Sequence, residues 1–113
     1  MGDLQNALDY LKKYKADGEI PGALVTAQNL GLQGDILSQQ GNYKEAAAQY
    51  EKAVKASENI LTAPYYLKKA GLTYEKLGDN AKALSTYKSI QTDYATSMEA
   101  RDIQKFMGRL EQL

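Results

Sequence analysis

LKKAGLTYEKLGDNAKALSTYKSI, residues 67–90, reads as two short amphipathic helices joined by a Gly-Asp turn. Leu67, Ala70, Gly71, Tyr74 and Leu77 recur at helical spacing before the turn. Ala83, Leu84, Tyr87 and Ile90 keep the same rhythm after it. Small residues stand where two helices must come close, with a large one a turn away. Gly78 suits the left-handed conformation that ends a helix. Asp79 suits the next cap, where a side-chain oxygen accepts from a free backbone N–H.

Working outward, the pattern repeats. GDLQNALDYL from Gly2, GNYKEAAAQY from Gly41 and GDNAKALSTY from Gly78 align without gaps. Alanine falls five residues after each glycine, at Ala7, Ala46 and Ala83, and then come Leu11, Tyr50 and Tyr87 at the same offset. Upstream of the turns, Leu30 matches Leu67, Gly34 matches Gly71 and Leu37 matches Tyr74. A glycine inside a helix costs about 1 kcal/mol relative to alanine, so Gly34 and Gly71 need a reason. A close approach of the paired helix, which a side chain would block, supplies it. Gly31 has no such explanation from spacing alone.

These residues resemble the tetratricopeptide repeat, a 34-residue helix–turn–helix with small and aromatic residues at fixed offsets. The structural repeat positions are then Leu30, Gly34, Ala46, Tyr50, Leu67, Gly71, Tyr74, Ala83 and Tyr87. The resemblance implies an all-α chain: an α-solenoid of antiparallel helix pairs in a right-handed superhelix, with about six helices. The spacings of 39 and 37 residues between Gly2, Gly41 and Gly78 exceed the standard period. The excess is expected in two connections, around Lys15–Gly22 and Ser57–Thr62.

Residues 1–113 read as a single domain of that kind. Helices are predicted over 3–16, 22–40, 43–57, 63–77, 80–94 and 97–112, with no strand. The repeats are 22–57 and 63–94. Helix 3–16 is an orphan second helix of a truncated repeat, as if the beginning were cut from something larger. Helix 97–112 is a C-terminal cap, its stripe of Ile103, Phe106, Met107, Leu110 and Leu113 facing inward and Arg101, Lys105, Arg109 and Gln112 outward. Asn42 with Glu45 and Thr96 with Glu99 have the spacing of capping boxes. Pro64 falls where a first helical turn tolerates proline.

Composition removes several chemistries. The chain has neither cysteine nor histidine, which excludes disulfides, thiolate nucleophiles, imidazole catalysis and zinc held by nitrogen or sulfur. Fourteen basic residues balance fourteen acidic ones, so no net field favours nucleic acid or an anionic membrane. No apolar run reaches the ~20 residues that span a bilayer, so no membrane insertion is expected of this stretch. Carboxylates are scattered, and no glycine-rich loop accompanies Lys68 and Lys69. No enzyme activity, cofactor or metal is expected.

What remains is a binding surface. Tyr43, Tyr50, Tyr74 and Tyr87 fall on positions that pack between helices, whereas Tyr10, Tyr65 and Tyr66 fall off the motif and are expected at the surface. The resemblance implies a concave groove lined by the first helix of each repeat. Gln28, Gly31, Asp35 and Ser38 would face it from one repeat, and Tyr65, Lys68, Leu72 and Glu75 from the next. In the best-known peptide-binding members, lysine and asparagine on this face clamp a ligand's C-terminal carboxylate. Gly31 and Asp35 stand where the first such pair would be, and Lys69 where another asparagine would be, so that clamp is not expected here. The leading expectation is a non-catalytic scaffold that binds a protein or peptide in the groove. The alternative is a structural or homo-oligomerising part of a larger membrane-anchored bacterial repeat protein, which GNYKEAAAQYEKA and YLKKAGLTYEKLGDNAKAL resemble. Localisation then stays open between the periplasmic part of such a protein and the cytoplasm. Leu4, Ala7, Leu8, Leu11 and Tyr14 would leave an apolar face on helix 3–16, which points to a homodimer through that helix.

Overall fold

Six helices follow one another among the described residues: α1 (Gly2–Ala16), α2 (Gly22–Gln39), α3 (Tyr43–Ser57), α4 (Ala63–Lys76), α5 (Asn80–Asp93) and α6 (Met98–Glu111). The structure, a computed structural model, describes residues 2–16, 22–57 and 62–112, and their side chains apart from 2, 13–16 and 22–25. No strand occurs among them. The two long connections expected around Lys15–Gly22 and Ser57–Thr62 fall mostly on 17–21 and 58–61, outside the described residues.

Two turns 37 residues apart are built alike. Gly41 and Gly78 adopt φ of 83° and 80°, which only glycine does without strain. The Asn42 N–H then donates to the Leu37 carbonyl, and the Asp79 N–H to the Tyr74 carbonyl. Each bond closes the longer loop of a Schellman motif. Asp79 caps α5 by accepting from the Lys82 N–H at 3.1 Å. At both turns the residue after the glycine also accepts the first intrahelical bond, Asn42 from the Ala46 N–H at 2.9 Å and Asp79 from the Ala83 N–H at 3.0 Å. The cap of α6 corrects the sequence reading: Ser97, not Thr96, accepts from the Ala100 N–H. Only Ser97 sits in extended backbone immediately before the first helical residue, the position an N-cap requires.

Each helix packs on its neighbour in sequence, and α4 also reaches α6. The thinnest dimension, 16 Å, admits two helix layers and no third. The core is therefore a run of pairwise interfaces. Within each hairpin a tyrosine ring replaces the missing glycine side chain. A Cβ on Gly34 would lie 2.6 Å from the Tyr50 ring, and one on Gly71 would collide with Tyr87. Ala46 and Ala83 are fully buried at the same contacts. Leu30, Leu37, Tyr50, Tyr74 and Tyr87 are buried with them, and Leu67 is half-buried. On α6, Ile103, Met107 and Leu110 are buried and Phe106 is half-buried; Leu113 lies outside the described residues.

Candidate functional site

The odd-numbered and even-numbered helices divide the molecule into two faces, and α2, α4 and α6 share one of them. Gly31 is what lets α4 approach α2. A Cβ there would collide with the Tyr66 ring, so the glycine that spacing could not explain is the seat of that tyrosine. Tyr66 is accordingly buried, at 6% exposure, not the surface contact expected of it. Its neighbour Tyr65 points the other way and is 45% exposed, with the two rings edge to face at 5.1 Å. Farther along, α6 is tied to α4 by Arg109 with Glu75 at 2.5 Å and by Lys68 with Asp102 at 3.6 Å.

Two hollows open side by side on this face. One, of about 250 Å³, is lined by Gln28, Gly31, Leu32, Asp35, Tyr65, Tyr66 and Lys69. The other, of about 450 Å³, is lined by Asp35, Ser38, Tyr50, Lys69, Leu72, Thr73, Glu75, Lys76 and Arg109. They share Asp35 and Lys69, so together they form one groove with an ion pair across its middle.

Every carboxylate in the groove is held by a phenol and a cation. Tyr50 donates to Asp35 Oδ1 at 2.6 Å, and Lys69 Nζ donates to the same oxygen at 2.8 Å. Tyr87 donates to Glu75 Oε2 while Arg109 donates to Oε1. Burial, then the bond to Asp35, pushes the Tyr50 hydroxyl up to about 12. Burial and the bond to Glu75 raise Tyr87 further. Burial pulls the Lys69 ammonium down, but its bonds to Asp35 and Tyr65 outweigh that and hold it above the usual lysine value. Lys69 also lies 4.8 Å over the Tyr65 ring. At the rim, Lys76 is turned over the Tyr43 ring at 5.2 Å.

Of the eight expected groove residues, the structure gathers seven: Gln28, Gly31, Tyr65 and Asp35 at one end, Ser38, Leu72 and Glu75 at the other. Lys68 is not among them. It sits over the Phe106 ring at 5.2 Å and faces Asp102, toward the cap helix. Lys69 takes its place. A stripe that leaves Tyr65 by three or four residues admits either lysine, and only Asp35 across the groove decides between them. Leu32 and Arg109 line the groove as well, outside the expected stripe, one 51% exposed beside Tyr65 and the other supplied by the cap helix.

The opposite face carries a feature the apolar pattern concealed. Gln49 Nε2 donates to Gln33 Oε1 at 2.6 Å, and Gln33 Nε2 donates to Asn29 Oδ1 at 2.6 Å. Asn29 Nδ2 in turn donates to the Leu11 carbonyl at 3.4 Å. Gln33 is 1% exposed, so this chain of amides is the polar seam joining α3, α2 and α1. Beside it α1 turns its stripe inward. Leu8 is 2% exposed and Leu4 and Leu11 are half-buried; only Ala7 of that group is exposed, and Tyr14 lies outside the described side chains. The open apolar face expected of helix 3–16 is thus mostly covered by the chain itself, which removes most of the physical reason for pairing through it. The cause is that Leu8 points toward the helix that follows, not toward the one that would precede.

Among the described residues no helix is long and apolar enough to cross a membrane. A tetratricopeptide repeat family model matches residues 27–60, and a second tetratricopeptide repeat model matches residues 67–97. Each match falls on one hairpin and its turn, α2–α3 and α4–α5, leaving out the first residues of α2 and of α4. No curated protein matches the chain.

Proposed function

Since the chain belongs to the tetratricopeptide repeat family, we propose that it is a non-catalytic scaffold holding a protein or peptide segment in the groove formed by α2, α4 and α6. Repeats of this family generally mediate protein–protein interaction, and stacked first helices are the surface they offer. The observation that carries the reading is the exposure of Leu32, Tyr65 and Leu72 along one continuous groove, at 51%, 45% and 37%. Exposed apolar side chains grouped along one groove are the kind of patch that marks an interaction site. The groove reading extends to Gln28, Asp35, Ser38 and Glu75, with Lys69 in place of Lys68.

Site-directed photocrosslinking in the source cell tests this. A crosslinking residue at Tyr65 and, separately, at Leu72 should trap the same partner, while one at Lys52 on the opposite face should not. A partner trapped from Lys52 alone would move the binding surface to the other side of the molecule.

A further inference from the structure

Which segment the groove accepts follows from what its charges already do. Asp35 and Glu75 are each held by a tyrosine and a cation, and those cations are Lys69 and Arg109. A ligand carboxylate would have to displace a carboxylate of the protein to reach either, an exchange of one ion pair for another with little net gain. The apolar groups, in contrast, are free to be covered. Leu32 from α2 and Tyr65 from α4 stand on either side of a hollow of about 250 Å³ floored by Gly31 and the edge of Tyr66. That volume falls short of the roughly 300–1,000 Å³ typical of small-molecule sites, and suits a single large side chain.

We infer that the Leu32–Tyr65 hollow takes one bulky apolar or aromatic side chain of an uncharged stretch of the partner, and that Lys69 beside it does not receive a free C-terminal carboxylate. This rests on the groove being the binding surface. Charge complementarity selects the occupant, because the two charges of this hollow, Asp35 and Lys69, close on each other and reward a neutral chain. Tyr65 is the anchor on the protein's side: its ring is rigid, half-exposed, and polarised by Lys69 at 4.8 Å.

The probe is a library of random twelve-residue peptides, displayed once with both ends blocked and once with a free C-terminus. Selected peptides are then measured by fluorescence polarisation against the wild type and against Leu32→Ser, Tyr65→Ala and Lys69→Met, each checked for helical circular dichroism. The expected result is blocked-end peptides that share one large apolar residue. Their affinity should fall about tenfold or more with Leu32→Ser and with Tyr65→Ala, and less than about threefold with Lys69→Met. Both truncated side chains are about half exposed, so the folded variants are attainable. Enrichment of free acidic C-termini whose binding is lost with Lys69→Met overturns the inference and leaves the groove standing. Peptides indifferent to all three variants, or no enrichment from either library, overturn the groove and the inference together.

Discussion

Residues 22–57 and 63–93 build the same hairpin from different interiors. At the seam with the preceding helix the first uses Asn29, Gln33 and Gln49, linked amide to amide at 2.6 Å. Thirty-seven residues on, the second has Tyr66 and Ala70 in place of the first two, with Ala70 fully buried and the Tyr66 ring seated on Gly31 of α2, and Thr86 turns its hydroxyl back to the Lys82 carbonyl of its own helix. The backbone of the two turns is nonetheless built alike. A buried polar chain substitutes for apolar contact provided each donor finds its acceptor, because the cost of burial falls on groups left unpaired. What the two hairpins cannot vary is the ring over glycine and the alanine beside it, where space and not polarity is short.

The largest effect is expected at the feature the two hairpins share. Ala46→Leu and Ala83→Leu insert a branched side chain at fully buried contacts, and each should cost up to about 3 kcal/mol. For a chain of this size that lowers Tm by roughly 10–20 °C. The two should fall together in thermal melts. An unchanged midpoint in either would mean that the repeats are out of register with one another.

Next comes the feature that differs. Gln33→Leu keeps the volume but leaves Asn29 Oδ1 without its donor and Gln49 Nε2 without its acceptor. The expected loss is about 1–3 kcal/mol by denaturant unfolding. Converting Asn29, Gln33 and Gln49 to leucine together should recover much of it, since that removes every side-chain partner and leaves only the Leu11 carbonyl without its bond from Asn29. A triple variant weaker than the single one would show that the amides do more than satisfy each other.

The smallest effect has the opposite sign. Gly108 lies 37 residues after Gly71, in the register of Gly34 and Gly71, yet a Cβ there meets nothing within 4 Å. Gly108→Ala should therefore stabilise the chain by about 0.5–1 kcal/mol, through helix propensity alone. Gly71→Ala should destabilise it. If Gly108→Ala also lowers Tm, the open face of α6 is occupied in solution.

Local pattern was enough for the helices. The two glycine turns, the alanines five residues on and the tyrosines beyond them mark each hairpin, because the requirements they meet are local: a positive φ, a free N–H to cap, a 3.6-residue period. Which of two adjacent residues faces the groove depends on packing between helices. Tyr65 and Tyr66, or Lys68 and Lys69, stand about 100° apart on one helix. Either fits an apolar or a polar stripe until the opposing helix is in place. Gly31 then receives Tyr66, Asp35 selects Lys69, and Asp102 draws Lys68 away. The same holds for Asn29 and Gln33, which look like surface amides until Gln49 is brought against them. Periodicity gives a helix a direction, and the residue some thirty places away that it meets gives that direction a meaning.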